Sequence, residues 1–435
     1  MTSAQWKVAY ITAGAGGMYC GSCMHDNTLA RALRQHDVDV QLIPTYTPIR
    51  TDEEDLSIDR IFFGGINVYL QQKIPFFRYL PAFLDRWLDN RWLIRKVTAK
   101  ASSTSAKELG ALTVSMLKGT SGFQRKEVRS LCRWLRESIR PELINLSNML
   151  IAGCLPHLQE QCQVPIVATL QGDDIFLEEL PEPYKSQAFD LLYSLVRFVD
   201  LFVVNSEYYA DFMSEYFKIP REKFRVVPLA IDTTDFLSVD NPTAPSERPP
   251  TLGYLARLAP EKGFHHLIDS FIELRKIEGM ERAQLRVAGW LGENNRAFAE
   301  EHFQRLRDAL GGDAFEYVGS VDRAGKLEFL RSIDVLSVPT TYREPKGLFV
   351  LEALAAGVPV VQPRHGAFPE MLESLGGGQL VEPGDVQELA QACARLLADA
   401  DTRTSLGEQG QQAVLDHHNA DSLAEHTMAV YRELL

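Results

Sequence analysis

Short β-rich runs alternate with helical patterns along almost the whole chain, and this alternation restricts the possible fold more than any other feature. In the first half, the predicted strands are 7–12, 38–44, 143–146, 165–170, 200–204 and 224–228. In the second half, they are 251–256, 284–288, 315–318, 333–339, 358–361 and 379–381. Strands separated by helices form parallel sheets that helices cover on both faces. The sequence therefore predicts an α/β protein.

A proline-rich polar stretch divides this alternation into two parts. It covers residues 241–250, and a chain of 435 residues is too long for a single ordinary core. We expect two doubly wound, Rossmann-like domains at 1–240 and 251–415, followed by a C-terminal helix at 416–435. Ligands bind at the carboxyl ends of the strands in such sheets, so we expect the two domains to face each other across a ligand-binding cleft.

The charge of the chain is unevenly distributed. Its formal net charge is -13, which argues against nucleic acid as a partner because phosphates require a basic surface. The segment 75–140 is the exception, with 14 Lys and Arg against 5 Asp and Glu, a net of +9. We interpret this segment as a helical insertion in the first domain. Three roles stay open for it: packing against its own domain, forming a wall of the acceptor site, or docking on an anionic membrane.

No segment has the pattern of a secretory signal or reaches the ~20 apolar residues that span a bilayer. The six cysteines are scattered and do not form a disulfide framework. We therefore expect a cytoplasmic protein with reduced thiols. Any peripheral contact of the protein with the inner face of a membrane would use the basic segment, 75–140.

The stretch GAGGMYCGSC at 14–23 follows the first predicted strand and suggests two different chemistries. Gly16 and Gly17 would let the backbone approach a phosphate or a sugar closely. Cys20 and Cys23 have the spacing of a redox pair or half of a metal site. A zinc site would need two further ligands, and only His25 is near. We favour a donor or acceptor loop that contains two thiols, with the redox or metal role left open.

The predicted helix at 348–356 is apolar on every face except for Glu352. Such a helix is buried all round, and an ionised Glu is rarely buried without a partner. Glu352 therefore either lies on a narrow solvated strip or accepts hydrogen bonds from a ligand's hydroxyl pair, such as that of a ribose. The amides of Gly347 and Leu348 at the start of this helix would suit the phosphates of the same ligand.

Glu344 and Glu352, with seven residues between them, and the following Gly-Val-Pro-Val-Val at 357–361 resemble the donor-binding signature of glycosyltransferase family 4. This family contains retaining enzymes with the GT-B fold. The resemblance covers nearly all of the chain and is weakest in 75–140. Segments 46–48 and 64–69 also faintly resemble bacterial starch and glycogen synthases.

The resemblance implies roles for several residues. Glu344 would lie against the donor sugar, Glu352 would hold the nucleotide ribose, and Arg257 and Lys262 would bind the diphosphate. Even without the family, two cations and a glycine between a strand and a helix suit a diphosphate. The family generally needs no metal or bound cofactor, and the nucleotide-diphosphate sugar is its co-substrate. In relatives the last helix crosses back onto the first domain.

Gln171 departs from the family pattern, because relatives usually have a catalytic-site histidine at this position. An amide can contact a sugar hydroxyl but cannot act as a general acid or base. Since retaining members are thought to react on one face of the sugar, activity does not strictly require a protein nucleophile. Asp173 and Asp174 would either contact the acceptor or cap the next helix. His365, after a strand, would either contact the ligand or be a solvated loop residue.

Other functions are compatible with parts of the sequence. A dinucleotide-dependent oxidoreductase is disfavoured because Tyr19 replaces the third glycine of the fingerprint and no acidic residue ends the second strand. A phosphorylase would need a cofactor lysine that we do not identify. A nucleotide-sugar epimerase and a nucleotide-sugar-binding protein without transfer activity remain alternatives. The sequence favours a retaining, metal-independent hexosyltransferase that moves a sugar to a hydroxyl of a glycan, a lipid or a small molecule.

Overall fold

The chain forms two compact units. The first comprises residues 1–228 and 423–435, and the second comprises 229–422. The computed structural model describes residues 6–14, 21–64, 68, 70–72, 74, 76–77, 106–236 and 248–435. Most of the predicted linker, and residues 78–105 of the basic segment, lie outside this description. Gly16, Gly17 and Cys20 also lie outside it.

The first unit contains a six-stranded parallel sheet with the strand order β2-β1-β3-β4-β5-β6. The strands are β1 (Lys7–Thr12), β2 (Asp39–Pro44), β3 (Leu143–Leu146), β4 (Ile166–Thr169), β5 (Leu201–Val204) and β6 (Phe224–Val226). β3, β4 and β5 consist mainly of apolar residues and are buried at every position. Burial of every position is expected for central parallel strands with helices on both faces.

Helices connect these strands and cover the sheet. They are α1 (Gly21–Gln35), α2 (Ala106–Leu117), α3 (Arg125–Trp134), α4 (Leu155–Cys162), α5 (Asp173–Glu178), α6 (Tyr184–Leu195) and α7 (Glu207–Phe217). Ser206 begins α7 by accepting a hydrogen bond from the Tyr209 amide at 3.1 Å, which is the usual role of an N-cap serine. The described part of the basic segment is thus helical, in α2, α3 and a π-helical turn at Leu135–Ile139.

The second unit repeats the architecture with the strand order β12-β11-β10-β7-β8-β9, again all parallel. Its strands are β7 (Thr251–Leu255), β8 (Gln284–Ala288), β9 (Phe315–Gly319), β10 (Val335–Leu336), β11 (Val360–Pro363) and β12 (Gly378–Val381). Its helices are α8 (Phe264–Leu274), α9 (Arg296–Leu310), α10 (Arg323–Arg331), α11 (Leu348–Ala355), α12 (Phe368–Leu375), α13 (Val386–Ala398) and α14 (Ala400–His417). A final helix, α15 (Ala420–Arg432), begins in the second unit and ends in the first.

The α/β prediction is confirmed: each of the twelve predicted strands is present, with ends that differ by a few residues. The largest difference is β10, which the sequence predicts over 333–339 and which is only two residues long. The amide of Val338 donates to the Gln362 side chain at 3.4 Å, and Pro339 has no amide hydrogen. The ladder therefore ends early, and the following residues are left to form the loop that leads to α11.

Candidate functional site

The connection between β7 and α8 positions two of the predicted phosphate-binding cations. The Tyr254 hydroxyl donates to the backbone oxygen of Arg257 at 2.8 Å and fixes the start of this loop. Gly263 ends it with φ +69°, and a Cβ atom there would lie 1.6 Å from the Pro339 oxygen. Only glycine fits so close to another backbone. The loop is therefore held against the end of β10, with Lys262 at the point of contact.

Lys262 and Glu344 form a buried ion pair. Lys262 Nζ lies 2.6 Å from Glu344 Oε2, and their side chains are 14% and 5% exposed. The hydroxyl of Tyr342 contacts both partners. The other carboxylate oxygen, Oε1, accepts a hydrogen bond from the Lys346 amide at 3.3 Å. A residue predicted to bind phosphate and one predicted to face the sugar therefore contact each other directly.

Charge and hydrogen bonding keep this carboxylate ionised. Burial would raise the pKa of Glu344, but the charge of Lys262 and the hydrogen bonds from Lys262 and Tyr342 hold the pKa below its ordinary value. Burial, followed by the charge of Glu344, raises the pKa of Tyr342 well above its ordinary value. The phenol therefore remains protonated and can donate to Glu344.

Helix α11 begins at the same edge of the sheet. Gly347 precedes it with φ +80°, a conformation that favours glycine. Lys262 Nζ lies 5.8 Å from the centre of the Phe349 ring, so the cation is beside the first turn of this helix. Glu352 is three residues after Phe349, on the same face. The cation and both glutamates of the signature thus belong to one region of the second unit.

Glu352 is 7% exposed, which rules out the solvated strip considered from the sequence. Its Oε1 atom accepts a hydrogen bond from Lys326 Nζ at 2.6 Å, and Lys326 is itself buried on α10. Two buried opposite charges in contact satisfy each other. Nothing in the sequence indicated Lys326 as this partner, because it lies 26 positions away on another helix.

Arg257 is more accessible than Lys262. Its side chain is 39% exposed and contacts Glu261 at 3.1 Å, four residues along the chain. Exposed pairs of this type are weak. Its guanidinium group can therefore exchange this partner for a phosphate at little cost, which fits a ligand-binding arginine.

His365 lies in the loop after β11, next to the loop that contains Glu344. Its Nε2 atom is 2.9 Å from the Thr340 oxygen, and burial lowers its pKa. Gly366 has φ +60°, and a Cβ atom there would lie 2.5 Å from the backbone oxygen of Glu344. The Ala367 amide donates to the same backbone oxygen at 2.8 Å. His365 is thus a half-buried, neutral residue that supports the Glu344 loop.

In the first unit, Gln171 follows β4 and is 6% exposed. Its Nε2 atom donates to Asp26 on α1 at 2.8 Å. The sequence analysis did not consider Asp26, which is separated from Gln171 by 145 positions. An acidic residue three positions after Cys23 gave no distinctive signal.

Asp173 and Asp174 hold the loop that contains Gln171. Asp173 accepts from the Met149 amide at 2.6 Å and from the Gln171 amide at 3.2 Å, and burial raises its pKa to about 6. The Tyr209 hydroxyl donates to Asp174 at 2.5 Å. Burial also raises the pKa of Asp174. These contacts fix the chain on both sides of Gly172.

Gly16, Gly17 and Cys20 lie outside the described residues, so the glycine-loop hypothesis stays a prediction. Cys23 is buried on α1. Within the described part of the chain, no group of three or more His, Cys, Asp and Glu side chains could hold a metal ion. In the same residues, no helix is both long enough and apolar enough to cross a bilayer.

Two doubly wound parallel sheets, the second with cations and buried carboxylates at one edge, define the GT-B class of glycosyltransferases. The structure is similar to that of sucrose-phosphate synthase from Thermosynechococcus elongatus, with a TM-score of 0.70. That similarity covers 98% of this chain and 99% of the other at 18% identity, and it concerns the fold alone.

Two family descriptions match successive parts of the chain. Glycosyltransferase Family 4 matches residues 111–235, and Glycosyl transferases group 1 matches residues 238–413. The chain is therefore a glycosyltransferase of the GT-B type, and the resemblance to family 4 is confirmed.

Curated relatives agree with this assignment. MMP alpha-(1->4)-mannosyltransferase of Mycolicibacterium hassiacum is 28% identical over 54% of this chain. The match spans only about half of that relative, 54% of its length. D-inositol 3-phosphate glycosyltransferase of Corynebacterium jeikeium is 29% identical to this chain. The match covers 79% of this chain and 86% of the length of that relative.

Proposed function

We propose that the protein transfers a hexose from a nucleotide-diphosphate sugar to a hydroxyl acceptor with retention of anomeric configuration and without a metal ion. The observation that carries this proposal is the cluster of Arg257, Lys262, Glu344 and Glu352 at one edge of the second sheet. Its cations suit a diphosphate and its carboxylates suit sugar and ribose hydroxyls. Relatives that are named as mannosyl- and inositol-phosphate glycosyltransferases support the class of reaction.

In the proposed reaction, the bond between the anomeric carbon and the diphosphate oxygen breaks, and its electron pair leaves with the nucleotide. The acceptor oxygen bonds to the same face of the anomeric carbon and passes its proton to the leaving phosphate. Arg257, Lys262 and the first amides of α11, including that of Leu348, would stabilise the negative charge that builds on the diphosphate. Gln171 would contact the sugar without exchanging a proton.

The test is a panel of UDP-, GDP- and ADP-sugars. We expect one of them to raise the melting temperature and to be hydrolysed slowly in the presence of EDTA. With an α-linked donor, NMR at early times should show the α-anomer of the released sugar. The β-anomer would refute retention, and a strict metal requirement would refute metal independence. Binding without hydrolysis or transfer to any acceptor would favour the sugar-binding protein, and a changed sugar on the recovered nucleotide would favour the epimerase.

We further propose that the protein is cytoplasmic and that its basic segment, 75–140, contacts an anionic membrane where a lipid-linked acceptor would lie. The net charge of +9 in this segment supports the proposal. Vesicles of phosphatidylglycerol should bind the protein at low salt and release it at high salt. Absence of binding at low salt would refute the membrane contact and leave the transfer reaction unaffected.

A further inference from the structure

A hydrogen-bonded triangle of three side chains holds one ammonium group of the second unit. Lys262 Nζ donates to Glu344 Oε2 at 2.6 Å and also to the hydroxyl of Tyr342. That hydroxyl in turn contacts the same carboxylate oxygen. Lys262 lies in the turn before α8, and the other two residues lie in the loop before α11. The triangle therefore joins the two loops that carry the predicted phosphate-binding and sugar-facing groups.

The direction of each hydrogen bond in the triangle follows from the chemistry of its groups. An ammonium can only donate, and an ionised carboxylate can only accept. The hydroxyl of Tyr342 must therefore accept from Lys262 and donate to Glu344. Burial, followed by the charge of Glu344, raises the pKa of Tyr342 well above its ordinary value, so the phenol keeps the proton that it donates.

Two aromatic rings complete the surroundings of this ammonium. Lys262 Nζ lies 4.9 Å from the centre of the Tyr342 ring and 5.8 Å from the centre of the Phe349 ring, and the faces of such rings attract cations. An ammonium can donate three hydrogen bonds. Among the described residues, two of them go to Tyr342 and Glu344. One N–H group of Lys262 is therefore left for a further acceptor.

The carboxylate limits how easily this ammonium can turn toward a ligand. The side chain of Glu344 is 5% exposed, and a buried carboxylate that loses its partners is costly. If Lys262 moved away, the hydroxyl of Tyr342 would be the remaining donor to Oε2 within the part of the chain that the structure describes. Tyr342 therefore lowers the free-energy cost of releasing Lys262 from Glu344.

We infer that Tyr342 is a positioning residue, whose hydroxyl keeps the buried carboxylate of Glu344 hydrogen-bonded while Lys262 moves onto the diphosphate of the ligand. This inference rests on the proposed function, since it requires a nucleoside-diphosphate ligand. It adds a residue to the cluster of two cations and two glutamates. It also explains how a lysine that is already paired with a carboxylate can serve a phosphate: the phenol takes over part of its role.

The variant Tyr342→Phe tests the inference, because it removes the hydroxyl and keeps the aromatic ring beside Lys262. Calorimetry with UDP, GDP and ADP should show an affinity about tenfold lower than that of the wild type for the nucleotide that binds. The same substitution in a Glu344→Gln background should cost less than twofold, because the neutral amide no longer holds Lys262 by charge. No loss in the single variant, or equal losses in both backgrounds, would overturn the inference.

Tyr317→Phe is the matched control. It removes another phenol hydrogen bond of the same unit, the one from its hydroxyl to the backbone oxygen of Gly289 at 2.9 Å. It should change the affinity for the diphosphate by less than twofold. If it lowers this affinity as strongly as Tyr342→Phe does, general loosening of the unit explains the result and the inference fails.

The protein without any ligand provides an independent measurement. Burial would raise the pKa of Glu344, but the charge of Lys262, the hydrogen bonds from Lys262 and Tyr342 and the charge of Lys346 hold it below its ordinary value. In a 13C NMR titration, the pKa of Glu344 should therefore be higher in Tyr342→Phe than in the wild type, and unchanged in Tyr317→Phe.

The outcomes separate this inference from the proposed function. An unchanged pKa of Glu344 in Tyr342→Phe would overturn the inference whether or not a nucleotide binds. If the wild type binds none of the three diphosphates, the proposed function fails, and this inference fails with it. If the wild type and Tyr342→Phe bind a diphosphate with equal affinity, only the present inference fails.

Discussion

Lys262 Nζ lies 2.6 Å from Glu344 Oε2, so a cation expected to bind the diphosphate is already neutralised by a carboxylate expected to face the sugar. On the proposed function, a diphosphate that enters would share or replace this contact, which would weaken the protein's hold on the free nucleotide product. As charge moved onto the leaving diphosphate during transfer, its attraction for Lys262 would grow. We therefore expect the pair to favour the transition state over the ground state.

Replacing Glu344 with glutamine should separate binding from turnover. The neutral amide releases Lys262, so we expect the affinity for the nucleoside diphosphate to be equal or up to about tenfold higher. Turnover should fall by about a hundredfold or more because the sugar loses its carboxylate. Calorimetry and steady-state hydrolysis measure the two effects. A variant that loses diphosphate affinity and keeps its turnover would contradict this account.

Glu352→Gln should weaken nucleotide binding about tenfold or more and nearly abolish transfer, because the ribose loses its charged acceptor. It should also lower the free energy of unfolding, since the buried Lys326 loses the charge of the carboxylate that it contacts at 2.6 Å. The control is the double variant Glu352→Gln with Lys326→Met. It should recover much of the stability in chemical denaturation and none of the transfer. Unchanged kinetics in the single variant would refute the role of Glu352.

Arg257→Ala should lower kcat by about 10²–10³ with little change in stability, because the side chain is half-exposed and its ion pair with Glu261 is of the weak surface type. Arg305→Ala is the matched control: this arginine belongs to the same unit and forms an exposed pair with Asp269. It should leave kcat within twofold. Equal losses in both variants would indicate a general effect of charge.

The stability of the first unit should depend on pH through Asp173. Burial raises its native pKa from the ordinary value of 3.8 to about 6, so the folded state binds a proton more tightly than the unfolded state. This carboxyl group therefore favours folding more as the pH falls from 7 toward 4. The unfolding free energy of the wild type, measured relative to that of Asp173→Asn, should therefore rise as the pH falls over that range. A constant difference, measured by denaturant titration at each pH, would contradict the raised pKa.

Serine at both Cys20 and Cys23 should leave transfer within about twofold, with or without a reductant. The reason is that the groups to which we assign the reaction lie in the second unit and include neither thiol. Loss of activity in the double variant, or in the wild type after chelation, would restore the redox or metal hypothesis for this pair.

The sequence predicted the strands well because a buried parallel strand is a continuous apolar run, which is a local property. It also showed that Glu352 needs a partner, since the burial of α11 follows from its own composition. It could not identify that partner, because Lys326 lies 26 positions away on another helix and only the packing of α10 brings it to 2.6 Å. The contact of Asp26 with Gln171 could not be predicted for the same reason, since it depends on the pairing of β1, β3 and β4. Local patterns predict elements, whereas polar networks depend on tertiary structure.

The first unit is discontinuous in sequence, because α15 ends in it. Tyr431 is fully buried there, Glu433 forms an ion pair with Arg225 at 2.6 Å, and Arg432 lies over the Trp6 ring. During synthesis, the segment up to residue 228 leaves the ribosome about 200 residues before these contacts can form. We therefore expect the nascent first unit to stay incompletely packed until the second unit and α15 have both been translated.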